Sequence, residues 1–194
     1  AAAQDKTQLG RLKVTTSMGD DNNDGLMDKI VAYGGRSFSI WTADGQQVFD
    51  SAGDFERITA AILAMNFNNN NDENKGDSRS DDKGPEPEAL ALGQIGSRTY
   101  AFIGLERTSG FMIYDITNPF AVSFVDYVSN RNFDADYVID TDTGEVEGDA
   151  TLAGDLGPEG MKFIASQYSP TGLPLLLIGN EVSGTTTVYQ LKLQ

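Results

Sequence analysis

Gly84-Pro85-Glu86-Pro87-Glu88-Ala89-Leu90-Ala91-Leu92 opens a stretch that continues through residues 100–106 and 111–114. About 75 residues later the pattern returns as residues 157–163, 175–181 and 186–189, and an earlier copy without the Gly-Pro-Glu start occupies residues 11–14, 30–35 and 38–41. Self-similarity of this kind means that one supersecondary unit is used several times and buries its apolar face only against a neighbouring unit. The sequence therefore predicts a repeat protein.

Each copy contains short apolar or alternating runs that are rich in β-branched and aromatic residues and are separated by turn signals. Asp44-Gly45, for example, lies between residues 38–41 and 47–49 and is a strong hairpin signal. Repeated four-stranded antiparallel units are typical of a β-propeller. A β-sandwich is the alternative, but it gives no reason for Gly-Pro-Glu to recur ahead of an Ile-Gly strand. We therefore predict an all-β fold of about three four-stranded blades that are part of a larger ring.

The predicted blades are centred on residues 11–50, 86–128 and 158–193 of one partial propeller domain that spans residues 1–194. Two insertions separate them, residues 54–83 and residues 130–156. Residues 54–65 have apolar positions at helical spacing, so one short helix is expected there, with Asp54 as its N-cap. The second insertion is expected to contain a small hairpin around Thr143-Gly144.

Three blades do not close a ring, because propellers typically have about four to eight blades. The last copy also stops without a clear fourth strand. Either an N-terminal segment supplies that strand, or the chain is the C-terminal part of a longer protein. The second explanation is favoured, because an open set of blades would expose apolar faces that soluble monomers rarely tolerate. The predicted partner is accordingly the remaining N-terminal blades of the same precursor or a second chain.

Composition excludes several classes of function. The net charge of −15 argues against binding to nucleic acid or to an anionic membrane surface. No apolar run approaches the roughly 20 residues of a spanning helix, so membrane insertion is not expected. Cysteine and histidine are both absent, which removes disulfides, thiolate metal sites and every Ser-His or Cys-His nucleophilic arrangement within this chain.

The sharpest local motif is Asp20-Asp21-Asn22-Asn23-Asp24-Gly25-Leu26-Met27-Asp28. Oxygen ligands at alternating positions, a glycine for the sharp turn and a further carboxylate are what Ca²⁺ requires. The predicted ligands are the side chains of Asp20, Asn22, Asp24 and Asp28 and the carbonyl oxygen of Leu26. The alternative is a merely polar hairpin loop, since Asn, Asp and Gly are ordinary turn residues. Because so many carboxylates would repel one another without a cation, a structural Ca²⁺ is favoured.

A second group of polar residues precedes the innermost strands of two predicted blades, near the mouth of a central channel. A ring of carboxylates with an occasional arginine suits a hard divalent cation, so a second cation is a further candidate there. The candidates for catalytic residues are Arg79, Asp81, Asp82, Glu86, Glu88 and Glu159. The alternative is that Gly-Pro-Glu is turn chemistry, with the Glu bonded to backbone N–H groups of the next blade.

A third group follows a middle strand in each copy and comprises Glu106-Arg107, Asn180-Glu181 and Arg36. These residues are expected to form interblade salt bridges and turn anchors rather than catalytic groups. Trp41, Tyr114 and Tyr189 occupy one repeated strand position and are expected in the core.

Four stretches together resemble a known family, namely residues 9–14, 33–41, 77–88 and 179–186. They are similar to the C-terminal half of bacterial choice-of-anchor I proteins, often described as alkaline phosphatase-like, and to sea-urchin mesenchyme-specific cell-surface glycoproteins. The run Asp77-Ser78-Arg79-Ser80-Asp81-Asp82-Lys83-Gly84-Pro85-Glu86-Pro87-Glu88 is the most specific part. The resemblance implies a secreted, periplasmic or surface-anchored β-propeller of which this chain is a C-terminal portion.

Two functional classes follow from these observations. As an enzyme, the intact protein would be a secreted metal-dependent phosphatase or phosphodiesterase, in which channel carboxylates hold Ca²⁺ or a similar ion and Arg79 steadies a phosphate oxygen. As a non-enzyme, it would be a calcium-stabilised propeller for surface adhesion or scaffolding. The missing histidine and the lack of an obvious nucleophile favour the second class for this chain alone, whereas the family resemblance favours the first for the intact protein.

Overall fold

The structure, a computed structural model, describes residues 2–192. Its strands are β1 (Ser39–Trp41), β2 (Gln47–Asp50), β3 (Pro87–Ile95), β4 (Arg98–Leu105), β5 (Phe111–Asp115), β6 (Ser123–Val128), β7 (Tyr137–Ile139), β8 (Val146–Gly148), β9 (Pro158–Ile164), β10 (Leu175–Asn180) and β11 (Thr185–Gln190). The α-helix α1 (Asp54–Leu63) lies in the first insertion, and short 3-10 helices span Ala2–Gln4, Ala64–Asn66, Ala150–Leu152 and Ser166–Tyr168. The predicted β character, with one short α-helix in the described part, is confirmed.

The central sheet has the order β3-β4-β5-β6, and all its neighbouring strands are antiparallel. The β3–β4 hairpin turns at Gly96, whose φ of +61° favours glycine. The side chains on the buried face of β3 are small: Ala89 and Ala91 are buried and alternate with exposed Leu90 and Leu92. These small residues allow a neighbouring strand to approach closely. This sheet is the four-stranded unit that the sequence predicts around residues 86–128.

One face of the central sheet packs against the first insertion. Phe55 and Ile58, one helical turn apart on α1, are buried against Ile103, Met112 and Tyr114 of the sheet. The predicted helix is therefore present, but Asp54 is its first residue and makes no capping bond, because the cap position is Gly53. The Asp54 carboxylate instead pairs with Arg57 at 2.7 Å.

The opposite face packs against a second sheet of order β9-β10-β11. The Phe163 ring on β9 stacks on Phe102 with ring centroids 6.0 Å apart, and it leaves no room for a side chain at Gly93 of β3. Tyr189 on β11 meets Phe111 on β5 edge to face at 5.0 Å. Burial of the central sheet on both faces explains why residues 100–106 of β4 and its following turn are buried without alternation.

Outside the central sheet, the described units have fewer than the four strands that the sequence predicts. The third unit has three strands, and the first has the hairpin β1–β2 and an isolated bridge between Val14 and Ala32. Residues 2–192 do not form a closed propeller. Residue 193, the predicted end of the third unit, lies outside the described residues.

The first unit is also the least buried part of the chain. Many of its large apolar side chains are exposed where no described sheet covers them; they include Val14, Met18, Leu26, Ile30 and Trp41. Trp41 is 57% exposed, so its predicted place in the core was wrong, whereas Tyr114 at the related position is fully buried between α1 and the central sheet. The hairpins predicted at Asp44-Gly45 and Thr143-Gly144 are both present.

None of the described helices combines the length and the hydropathy that a membrane crossing requires.

Candidate functional site at the start of the inner strands

The inner strands of the two larger sheets begin in the same way. Glu86 precedes β3 and Gly157 precedes β9, with φ values of +56° and +71°. The carbonyl of Glu86 accepts the N–H of Glu106 at 2.9 Å, and the carbonyl of Gly157 accepts the N–H of Glu181 at 2.7 Å. The structural repeat therefore aligns Glu86-Pro87-Glu88 with Gly157-Pro158-Glu159. The alignment of Gly84-Pro85-Glu86 with Gly157-Pro158-Glu159 was two residues out of register.

Glu86 stands where the third unit has glycine. A side chain in this left-handed region costs about 1–2 kcal/mol, so the residue must be stabilised by its contacts. Its buried carboxylate binds three cations: Arg79 and Arg107 donate to Oε2 at 2.9 Å each, and Lys83 contacts Oε1. The predicted alternative, a Glu bonded to backbone N–H groups, does not describe Glu86, which binds side-chain cations.

A second set of carboxylates lies beside Glu86. Oxygens of Glu86, Glu88 and Glu106 lie within 4.8 Å of one another. Among residues 2–192, no other group of three or more acidic side chains is clustered this closely. Burial raises the pKa of Glu106 to about 7, and a hydrogen bond with Glu88 adds to the rise. Arg107, whose Nη2 lies 3.0 Å from Glu106 Oε1, lowers the pKa of Glu106, whereas the charges of Glu88 and Glu159 raise it further.

This geometry places Glu106 at the junction of the two sheets. Glu88, the second residue of β3, hydrogen-bonds Glu106, whereas Glu159, the second residue of β9, acts on the Glu106 pKa through its charge alone. Glu88 and Glu159 are exposed, whereas the Glu106 side chain is only 8% exposed. Clustered carboxylate oxygens such as those of Glu86, Glu88 and Glu106 are the ligands that hard divalent cations prefer.

The remaining predicted candidates divide into two groups. Arg79 links the cluster to Asp82 at 3.0 Å, and the Asp82 carbonyl accepts from Arg36, which also pairs with Glu56 at 2.7 Å. Asp81, by contrast, contributes its backbone carbonyl, which accepts the N–H of Lys13 at 2.6 Å. Of the predicted candidates, the structure brings Arg79, Asp82, Glu86 and Glu88 together. The Asp81 side chain is not part of this network, and the role of the other four in a site stays a prediction.

The place of Glu106 in this cluster was not predicted from the sequence, in which Glu106 was expected to form an interblade salt bridge. It pairs with Arg107 of its own unit rather than across units, and its burial and its contact with Glu88 make it the central carboxyl group. The available signal was the recurrence of Glu106 and Glu181 after the same strand of the repeat. Glu181 is exposed, so the repeat alone does not distinguish the two.

The Asn-rich insertion is attached to this site through arginines. Arg107 donates to Asn71 Oδ1 at 3.2 Å. Buried Arg131 donates to the carbonyl of Arg107 at 2.9 Å, to Asn69 Oδ1 at 3.0 Å and to the Tyr137 hydroxyl at 3.2 Å. These hydrogen bonds hold the Asn-rich insertion beside the carboxylates.

The loop of residues 20–28 is shaped by its own side-chain oxygens. Asp20 accepts the N–H groups of Asp24 at 3.1 Å and Gly25 at 2.9 Å, and Asp28 accepts the N–H of Asp21 at 3.0 Å. Asn22 and Asp24 accept further N–H groups within the loop. Apart from the half-exposed Asp20, the predicted ligand residues are exposed, and Ca²⁺ binding by this loop stays a prediction.

The pKa of Glu106 predicts an unusual pH dependence of stability. Between its unfolded value of about 4.5 and its folded value of about 7, the folded protein holds a proton that the unfolded chain has released. The contribution of Glu106 to the free energy of unfolding is therefore complete below pH 4.5, and it is lost as the pH rises through 7. After allowance for solvent screening, we expect a fall of about 1–2 kcal/mol between pH 5 and 8 in the presence of EDTA.

Urea unfolding at intervals of half a pH unit measures this fall. Because the chain has no histidine, few other groups titrate in the same range. E106Q is expected to flatten the profile, while E181Q, the exposed counterpart in the third unit, should leave it unchanged. An equal fall in E106Q and wild type would show that another group is responsible.

The fold and this site define a mostly-β protein of repeated antiparallel sheets with an acidic cluster where its inner strands begin. Residues 1–119 match the Choice-of-anchor I domain. Gigasin-3a of Magallana gigas is 33% identical over 190 residues, which cover 95% of this chain and 65% of Gigasin-3a. The chain belongs to the choice-of-anchor I family, as the sequence predicted. No solved structure is significantly similar to it.

Membership of this family and the similarity to Gigasin-3a support an extracellular or surface location. The chain spans about 65% of the length of that relative.

Proposed function

We propose that this chain is part of an extracellular β-propeller that binds divalent cations and serves as a non-catalytic surface scaffold or adhesion module. The observation that carries the proposal is the acidic cluster at the start of β3, where oxygens of Glu86, Glu88 and Glu106 lie within 4.8 Å of one another. The charge of Glu159, at the start of β9, also acts on Glu106. Three carboxyl groups held together raise the free energy of their ionised forms. A divalent cation removes this repulsion, so binding and folding favour each other.

The proposed cation site is at the open end of the two sheets. Glu106 is fixed there by its backbone bond to Glu86 and by Arg107, and Glu88 hydrogen-bonds it from the start of β3. Glu159, at the start of β9, is the proposed further ligand. Glu86 is already neutralised by three cationic side chains, so it acts as a support for the site rather than as a ligand. Ca²⁺ is the proposed occupant, because an exposed all-oxygen site of irregular shape suits it.

A structural Ca²⁺ at residues 20–28 is the second part of the proposal. The carboxyl groups of Asp20, Asp24 and Asp28 are gathered by bonds to the loop backbone. Calcium would hold together a part of the first unit that has little other support, because its apolar side chains are mostly exposed. This loop would stabilise the fold, whereas the site at Glu106 would face partners.

Further sheets of the intact protein are the proposed cover for the first unit. Its exposed apolar side chains, with Ile30 and Trp41 among the largest, form a surface that a neighbouring blade would bury. The other face of the central sheet shows the equivalent contact, where β9–β11 cover Phe102 and Phe111. The rest of the ring would come from the same precursor.

A phosphatase or phosphodiesterase is the alternative that the family resemblance raises. It needs a cationic side chain that is free to bind a phosphate oxygen. Both terminal nitrogens of Arg79 are committed to carboxylates, Nη1 to Asp82 and Nη2 to Glu86. We therefore favour the scaffold. Hydrolysis of a generic aryl phosphate by the intact protein, lost in E106Q, would favour the enzyme instead.

Calcium titration calorimetry tests the proposal. We expect two binding events, with dissociation constants of about 10⁻⁴–10⁻³ M as in extracellular calcium modules. D24A should remove the loop event alone, E106Q should remove the event at the sheet junction alone, and E181Q should keep both. An E106Q isotherm identical to that of wild type would overturn the proposed site at the junction.

A further inference from the structure

The two insertions meet around one buried guanidinium group. Arg131, near the start of the second insertion, is 6% exposed, and its three nitrogens donate to a set of surrounding oxygens that we call the oxygen cage. Four oxygens of the cage belong to residues 69–74 of the first insertion. Two more are the carbonyls of Arg107 and Thr108 in the turn after β4, and the last is the hydroxyl of Tyr137.

Every oxygen of the cage is uncharged. Asn69 and Asn74 contribute side-chain amide oxygens, Tyr137 contributes its hydroxyl, and the others are backbone carbonyls. None of the ion pairs among residues 2–192 includes Arg131. Divalent cations are usually bound through carboxylates, so a cage of neutral oxygens suits a cation of single charge. Among such cations, guanidinium is suited to burial because its charge is delocalised and weakly hydrated.

The cage also matches the shape of a guanidinium group. Each nitrogen has its own partner: Nε donates to Asn74 Oδ1 at 3.2 Å, Nη1 to the Arg107 carbonyl at 2.9 Å and Nη2 to Asn69 Oδ1 at 3.0 Å. The ring of Phe133 covers one face, with its centroid 4.8 Å from the Arg131 Cζ atom. An ammonium ion carries its donors on a single atom and lacks the planar fork. The contacts therefore select a guanidinium group over an ammonium group.

Other hydrogen bonds hold the cage oxygens in place. Asn69 Oδ1 also accepts a backbone N–H of its own loop at 3.2 Å. The Asn74 amide nitrogen donates to two backbone carbonyls of the second insertion, at 3.1 and 2.8 Å. The Tyr137 hydroxyl donates to the carbonyl of Asn71 at 3.3 Å, which leaves its oxygen free to accept from Arg131. The cage is therefore positioned by bonds that do not involve Arg131.

We propose that the two insertions and the turn after β4 form a guanidinium-binding site, in which the Arg131 head group is a ligand that the chain itself supplies. The site joins the two insertions through a cation of single charge, so this part of the molecule stays ordered whether or not Ca²⁺ is bound at Glu106. When the head group is removed, the cage takes a free guanidinium ion of the same shape. The inference does not depend on the proposed calcium sites.

Chemical rescue of R131A in the 1–194 chain, with EDTA present, tests the inference. Methylguanidinium at about 50 mM should slow proteolytic cleavage within residues 68–76 about 10-fold, as expected for a dissociation constant of about 5 mM, and should raise the Tm by about 3–6 °C. Methylammonium at the same concentration carries the charge without the planar fork and is the control ion. R57A, which loses an exposed arginine, is the control variant and should respond to neither ion.

Equal protection of R131A by methylammonium and methylguanidinium would overturn the inference, because charge alone would then account for the effect. Stronger protection by Ca²⁺, measured without EDTA, would also overturn it, because the cage would then be a metal site. If R131A is unfolded in the absence of added ions, its far-UV circular dichroism gives the result. Recovery of the folded spectrum with methylguanidinium supports the inference, and no recovery contradicts it.

Discussion

Replacement of Glu86 by glutamine is expected to lower the free energy of unfolding by about 3–5 kcal/mol, as is usual when one partner of a buried ion-pair network is removed. The Glu86 carboxylate is the common partner of Arg79, Arg107 and Lys83, and its side chain is 7% exposed. Without it, three cations face one another in a partly desolvated environment. Urea unfolding at pH 6 measures the loss, and E147Q on exposed β8 is the matched control, with an expected change below about 0.5 kcal/mol.

The backbone of Glu86 gives this prediction a second part. E86A and E86G both remove the carboxylate, but glycine also relieves the positive φ, as Gly157 does in the third unit. We expect E86G to be more stable than E86A by about 1 kcal/mol. An E86Q protein as stable as E147Q would show that the three cations do not depend on Glu86.

Replacement of Arg131 by methionine is expected to cost about 3–5 kcal/mol, because it leaves a group of buried polar atoms without their donor. Arg131 is 6% exposed and donates to carbonyl or side-chain oxygens of Asn69, Asn70, Glu73, Asn74, Arg107, Thr108 and Tyr137. The residue holds the Asn-rich insertion against the turn after β4. Its loss should therefore release the insertion before the rest of the fold.

Limited proteolysis and urea unfolding together test this expectation. Cleavage within residues 68–76 should become faster in R131M, and R131K should recover part of the stability, since lysine keeps the charge but offers three donors in place of five. R57M is the control, because Arg57 is exposed and makes one surface pair with Asp54, whose loss should change stability little. Equal effects of R131M and R57M would contradict the anchoring role.

Local patterns in the sequence predicted the elements whose partners are close along the chain. The hairpins at Asp44-Gly45 and Thr143-Gly144 and the helix that starts at Asp54 depend on turn chemistry and periodicity, which the sequence displays directly. Trp41 was misplaced because its burial depends on a neighbouring sheet, and the described residues provide none on that side. Repetition identifies equivalent positions but does not show which of them are covered.

Two residues of the carboxylate cluster, Glu86 and Glu88, were candidates from the sequence, whereas Glu106 was not. Gly-Pro-Glu led to Glu88 and Glu159, yet the match was two residues out of register because Glu86 replaces the glycine of the third unit. Glu106 was missed for a physical reason. Its raised pKa comes from burial at the junction of two sheets and from Glu88 and Glu159, which are distant in sequence. Such long-range burial is not encoded in any local motif.

Anomalous diffraction from crystals of this chain grown with Ca²⁺ at pH 8 tests the central claim most directly. We predict an anomalous peak at the junction of β3 and β9, with oxygens of Glu88, Glu106 and Glu159 about 2.3–2.6 Å from it, and its disappearance in E106Q crystals. Glu106 in direct contact with Glu88 and no peak beside them would contradict the claim, because the two carboxyl groups would then share a proton rather than a cation.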